Sequence, residues 1–474
     1  MESLEMGGVA TSQERAGVLS RAGRWMMGLP GRLAAKVAEL AKKVVKLGRD
    51  DLRRITHSVK VGFALSLVSL IYYYQPLYNS FGVSAMWAVM TVVVVFEFYV
   101  GATLSKGLNR GFATLLAGAL GVGAHHLASL SGKTGEPIVL GFFVFLQATG
   151  STFMRFFPRI KAKYDYGMLI FILTFALVSV SGFREDEILE FAHKRLSTVI
   201  IGGSACLIIS VIVCPVWAGE DLHRLIALNM EKLANFLEGF GNEYLRELED
   251  NDSNQDKSLL QGYKSVLGTK SNEESLATFA SWEPRHGRFG FRHPWKQYLK
   301  IGASIRNCAY RIEALDSYLS TKLHAPPQVQ TRLKELCAEM SKEAARALKQ
   351  LASSHRTMTV PSSATPHLEK SRTAAKALES LLKTVSWKDA TDLLAIAHAA
   401  TVTSLLLNVI NCTDKIAESV NELAFLARFK TAAKAKEQVK CDEVVLAVSA
   451  LKATVSPESV TPPVTGSSAG GVHM

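Results

Sequence analysis

The run GFATLLAGALGVGAHHLASL, from Gly111 to Leu130, holds twenty residues without one Asp, Glu, Lys or Arg. About 20 such residues in helix are what the hydrocarbon core of a bilayer requires, and a buried helix of a water-soluble fold would carry a polar stripe or stop sooner. Five more runs of this kind lie on either side: Val61–Tyr78, Ser80–Leu104 interrupted only by Glu97, Pro137–Met154, Tyr166–Phe183 and Leu196–Gly219. Six spans are the economical reading. Charge follows the same division, with 17 charged residues between 61 and 219, against 18 in the first 60 and 61 from 220 to 474. That contrast implies lipid around the middle block and water around the flanks. The 474 residues are 48% hydrophobic with a net charge of +12, which excludes disordered and collagen-like classes.

The resulting division is a cytosolic N-terminal segment (1–56), a six-span domain (57–219), a cytosolic helical domain (220–455) and a disordered tail (456–474). Orientation follows from Lys and Arg in the short connections, which concentrate on the cytosolic side. The approach to the first span carries Arg49, Arg53, Arg54 and Lys60, the second connection Lys106 and Arg110, and the fourth Arg155, Arg159, Lys161 and Lys163. The first connection, on the opposite side, has none. Both termini are therefore expected in the cytosol. Six widely spaced cysteines form no C-x-x-C pair, so neither a disulfide framework nor a metal site is expected, and no cofactor motif appears.

Ionisable groups in or beside spans are functional candidates, because a charge in lipid is costly unless it is paired or faces water. Lys60, Lys106, Arg110, Arg155, Arg159, Lys161 and Arg195 are the candidates for an anion path, since basic linings attract anions and repel cations. Arg155 and Arg195 are the best placed, each flanked by span-like sequence. The competing explanation is topology alone, which also puts Lys and Arg at cytosolic span ends. Glu97, alone in its span, is expected to pair with one of these cations. Gly118, Gly121 and Gly123 in the third span are read as helix-packing positions.

The flanks read as helical. Pro30, then Leu33, Val37, Leu40, Val44 and Leu47 at 4-3-4-3 spacing, with Lys36, Lys42, Lys43 and Lys46 on the other surface, make a basic amphipathic helix ending at Gly48 and suited to an anionic leaflet, so membrane lipids are expected partners. From Asp221 on, apolar positions such as Leu222, Ile226, Leu233, Phe236 and Phe240 recur with a 3.6-residue period. Trp282–Lys296 is irregular, with aromatics alternating with Arg285, Arg288, Arg292 and Lys296. Nucleic acid is not its expected partner, because the domain is tethered to a membrane. No catalytic constellation can be assembled, and the chain is not read as an enzyme.

Several long motifs resemble the plant aluminium-activated malate transporter family: Trp87–Glu97 running on through Gly101–Arg110, Arg155-Phe156-Phe157-Pro158-Arg159 with Tyr164-Asp165-Tyr166-Gly167, Cys214–Gly219, and Trp282-Glu283-Pro284 with Phe291–Lys296. The resemblance covers about residues 50–430. It implies a homodimer, all-α, of six transmembrane helices per subunit followed by a cytosolic helical bundle, passing malate and chloride, nitrate or sulfate passively. The alternative is a proton-coupled organic-anion transporter, for which no inverted repeat or midplane acid pair is seen. The expected address is the plasma membrane, with the vacuolar membrane as the second choice. Binding of a trivalent cation would need clustered outer carboxylates. Glu185, Asp186, Glu187 and Glu190 are those on offer, and a hydrated acidic loop is the simpler reading.

Overall fold

The computed structural model describes residues 36–74, 82–182, 188–246, 261–290, 293–319, 327–384 and 393–431. Among these residues the elements are helical, apart from two isolated bridges, His286 with Phe289 and Thr359 with Lys430. They divide into two compact units, one running to Ala218 and including Thr278–Pro284, the other formed by Gly219–Ala277 and the residues from Arg285 on. Glu185, Asp186, Glu187 and the tail from 456 lie outside the described residues.

The first unit begins with a helix over 36–50 (α1), which runs past Gly48 to Asp50. Asp51 then caps α2 (Leu52–Tyr73), its carboxylate accepting the Arg53 N–H at 3.0 Å. There follow α3 (Met86–Val95), α4 (Val100–Ser129), α5 (Gly132–Met154), α6 (Pro158–Gly182) and α7 (Ile188–Ile212). Of these, α2, α4, α5, α6 and α7 are long and apolar enough to cross a membrane, whereas α3 is apolar but only 10 residues long.

The run Ser80–Leu104, predicted as one span, is not one helix. Phe96 leaves the helical region with φ −70° and ψ 112°, and the chain re-enters helix at Val100. The backbone groups released at the break find other partners, as groups inside lipid must. The Thr103 hydroxyl accepts the Glu97 N–H at 3.0 Å, and the Val100 N–H donates to the Val216 carbonyl at 3.1 Å. As a result Lys106 and Arg110, expected in a connection, lie inside α4. Lys60 and Arg195 likewise lie within α2 and α7.

Helices in lipid gain little from apolar burial against one another, since lipid tails are as apolar as Leu, so small residues that allow close approach decide the packing. α4 packs against α5, α6 and α7, while α3 packs against α2 and α7. Ala64, Ala88, Val92 and Cys206 form one cluster, and Ala117, Ala124 and Phe175 another. Gly121 is where α4 and α6 approach most tightly, because a Cβ there would stand 2.8 Å from Val178. Phe142, Phe145, Leu146 and Phe153 on α5 remain exposed, as a lipid-facing surface requires.

The second unit holds α8 (Ala218–Arg246) from Gly219 on, a short α9 (Lys264–Leu267), α10 (Lys270–Ala280) as far as Ala277, α11 (Trp295–Leu319), α12 (Pro327–Thr357), α13 (Thr365–Thr384) and α14 (Leu393–Leu426). α11 packs on α14, and α12 on α13 and α14. The predicted face of α8, Leu222, Ile226, Leu233, Phe236 and Phe240, is fully buried. Polar ties join it to α12: the Ser341 hydroxyl donates to the Leu237 carbonyl at 2.6 Å, and Arg356 pairs with Glu231 at 2.7 Å.

A histidine cluster gathers in this unit. His223 Nδ1 and His293 Nε2 both lie 3.0 Å from the Tyr298 hydroxyl, and the His223 ring stacks on His355 at 4.2 Å. Burial, with Arg288 and His293 adding repulsion, lowers His223 to about 4. Burial and His286 lower His293 to about 4, and burial holds His355 well below its ordinary range. These rings are neutral in the fold.

Two outcomes are expected. Gly121→Leu overpacks the α4–α6 contact at a cost of about 1–3 kcal/mol, lowering the thermal midpoint in detergent, while Gly123→Leu, with nothing within 4 Å of its Cβ, leaves it unchanged. Below pH 6.5 the unfolded chain binds protons that the folded cluster refuses until about pH 4. The contribution of His223 and His293 to the stability of this unit is therefore complete above pH 6.5 and falls by about 1.4 kcal/mol per pH unit for each of the two between these limits. Amide exchange in α8 and α11, corrected for its intrinsic pH dependence, should accelerate over that window while α4 does not.

Candidate functional site

Three helices of the first unit each bury one cation. Lys60 on α2 is 2% exposed, Arg110 on α4 5% and Arg195 on α7 3%. Among the described residues no carboxylate pairs with any of them. The Lys60 ammonium donates to the Cys214 carbonyl at 3.0 Å. That carbonyl is free because the chain beyond α7 turns at Cys214, with φ +41°, into Pro215, which has no N–H with which to continue a helix.

Arg110 and Arg195 are held differently. Arg110 donates from one terminal nitrogen to the Tyr166 hydroxyl at 3.1 Å, and its Nε has no partner. The Arg195 guanidinium lies over the Trp87 ring, 3.9 Å from its centroid, with one terminal nitrogen buried and unpartnered. An aromatic face stabilises a cation by about 0.5–2 kcal/mol without neutralising it. Together these features leave N–H donors and positive charge inside an apolar unit with, among the described residues, no carboxylate to receive them. An anion is the chemical complement of such a place.

The other predicted cations are already balanced or exposed. Lys106 forms an ion pair with Glu97 across the helix break and also lies 5.7 Å from the centre of the Tyr166 ring. Arg155 makes a bidentate pair with Asp165 at 2.7 and 3.2 Å. Arg159 and Lys161 are exposed on the first turn of α6, and Glu190 pairs with Lys194 along α7 at 2.6 Å. Asn109 pins α4 to α6 by donating to the Lys163 carbonyl at 2.9 Å, which holds Lys106 and Arg110 in register with Tyr166.

The segment containing Trp282, Glu283 and Pro284 belongs to this first unit. Glu283 Oε1 accepts the Ala218 N–H at 2.6 Å, and the Phe279 ring lies 6.2 Å from Tyr99. At Gly101 a Cβ would stand 2.1 Å from the Phe279 carbonyl oxygen, so only glycine permits this approach. The segment thus rests on the break between α3 and α4. The Trp282 Nε1 is buried without a partner.

Sequence reasoning named the cations but missed the rings that hold two of them. Tyr166 stands in the sequence only within a family-like motif, and nothing there joins Trp87 to Arg195, more than a hundred positions away.

Comparison with known sequences places these residues in context. The family described as "Aluminium activated malate transporter" matches residues 45–388. Aluminum-activated malate transporter 2 of Arabidopsis thaliana is 57% identical over 398 residues, covering 83% of this chain and 79% of that protein. Aluminum-activated malate transporter 7 of the same plant is 54% identical, covering 83% and 84%. Aluminum-activated malate transporter 1 of Triticum aestivum is 48% identical, covering 88% and 92%.

The Glu97–Lys106 pair offers a direct check on the geometry of the break. Both side chains are more than a third exposed, so screening keeps their interaction small. A double-mutant cycle with Glu97→Gln and Lys106→Met, read by thermal unfolding in detergent, should give a coupling of about 0.5–1 kcal/mol.

Proposed function

Because the chain belongs to the aluminium-activated malate transporter family, we propose that it is a passive anion channel, passing malate and smaller inorganic anions such as chloride, nitrate and sulfate. The family is one of membrane transporters, not of enzymes, and the protein is a multi-pass membrane protein. The observation that carries the channel reading is the pair of buried, unpaired arginines, Arg110 and Arg195. A guanidinium with unsatisfied donors in an apolar setting is unfavourable, and a passing carboxylate offsets that cost through charge-assisted hydrogen bonds. Donors split between two arginines, with no carboxylate partner among the described residues, favour an anion's entry while keeping any single stop shallow. Conduction demands that balance. Exposed Arg159 and Lys161 would raise anion concentration at the approach. Lys60 contributes charge, although its ammonium is engaged by Cys214.

In this reading α3 serves as the sixth crossing with its neighbouring residues, both chain ends and the second unit are cytosolic, and two copies assemble. The plasma membrane is the proposed address. A second reading, proton-coupled malate transport, draws on one observation: the discontinuity between α3 and α4 carries a half-exposed acid–base pair, Glu97 with Lys106, as coupled transporters place at broken helices.

Recording from oocytes or patches with malate, nitrate and chloride exchanged on each side separates these readings. Channel currents should reverse near the equilibrium potential of the permeant anion. Reversal that follows sodium or potassium would overturn the proposal, and malate uptake against its gradient under an imposed pH difference would favour the second reading. Arg110→Ala and Arg195→Ala should each reduce malate current at least tenfold at unchanged surface expression. Arg155→Ala, whose charge Asp165 already receives, should change it less than twofold.

A further inference from the structure

Among the described residues α1 is left largely uncovered, the approach of Gly48 to Ile55 aside. Every residue from 36 to 47 is exposed, and Val37, Leu40, Val44, Val45 and Leu47 each show more than half of their surface. On a 100° helical progression these five fall on one face. Lys36 and Lys43 border one edge of that stripe, Lys42 and Arg49 border the other, and Lys46 lies opposite. Including Glu39, which pairs with Lys43 at 2.7 Å, and Asp50, the helix carries a net charge of +3. A 15-residue helix with an uncovered apolar stripe is marginal in water, so something must cover the stripe.

We infer that α1 is a docking surface for the anionic leaflet of the membrane that α2 crosses. The occupant follows from charge and continuity. Cations on both edges of an apolar stripe are placed to bury their methylene stems and lift their charged ends to headgroup phosphates and carboxylates, whereas a protein groove would have to match each one. Asp51 ends α1 and caps α2 in the same stroke, so α1 starts at the depth where a spanning helix leaves the hydrocarbon. Arg53 and Arg54 extend the basic belt by one turn. The helix should therefore respond to the surface charge of the leaflet, through counter-ion screening as well as lipid composition.

The test is amide hydrogen exchange over 36–50 in the full chain, reconstituted in nanodiscs of phosphatidylcholine alone or with phosphatidylserine. Exchange should slow at least tenfold with phosphatidylserine, a difference of about 1.4 kcal/mol, and the protection should fall at high salt. The triple variant Lys42→Gln, Lys43→Gln, Lys46→Gln, which keeps good helix formers, should lose most of the lipid dependence. The double variant Leu40→Gln, Val44→Gln should lose protection in both lipids. Protection that is equal in both lipids and insensitive to salt would overturn the inference and point to a second copy covering the stripe. Free exchange in both would overturn it as well.

Discussion

A positive charge placed among apolar helices without a carboxylate to meet it is the constraint around which the membrane unit is organised. Lys60, Arg110 and Arg195 come from three helices and are each at least nine-tenths buried. Such groups persist only where packing over-determines their positions, and the surroundings do this in separate ways. A turn at Cys214–Pro215 supplies Lys60 with a carbonyl, and a polar tie through Asn109 fixes α4 against α6. The small residues along α4 and α7 let the helices approach closely enough for these contacts to form.

The break between α3 and α4 follows from the same economy. Continuing the helix through Phe96–Tyr99 would have saved backbone hydrogen bonds but carried Glu97 along a rigid rod. Breaking it lets the acid turn back onto Lys106, so that one potentially unpaired cation is neutralised while Arg110, one turn further on, is not. The released backbone groups are met by Thr103 and Val216, and Gly101 lets the distant Phe279 carbonyl come within reach. A charge pattern that looked uniform in sequence is thus sorted, among the described residues, into cations with a carboxylate partner and cations without one.

How much of this was legible depended on whether the signal was local. Five helices long and apolar enough to cross a membrane declared themselves through uninterrupted apolar runs, and the buried face of α8 through its period. Ser80–Leu104 misled because apolar length says nothing about where backbone hydrogen bonds are exchanged for side-chain ones. The list of cations could be read from the sequence, but their ranking could not. Arg155 looked exceptional between Met154 and Phe156, yet Asp165, ten positions on, returns to meet it from the next helix. The tertiary partners of Arg110 and Arg195 lie 56 and 108 positions away, beyond the reach of any periodic pattern.

The choice of partner bears on chemistry. Had Arg195 been stabilised by a carboxylate, the pair would be net neutral, and an arriving anion would have to displace a tethered competitor at high effective concentration. Trp87 avoids this. Its ring attracts the guanidinium face-on through the π quadrupole, restricts its rotation, and leaves the N–H edge in the plane of the group free to donate. Tyr166 does the same in part, occupying one nitrogen of Arg110 with a neutral hydroxyl and offering its ring to Lys106. Cations on aromatic supports keep their charge while keeping their geometry, and the proposed channel, which would attract an anion without retaining it, calls for both properties in the same residues.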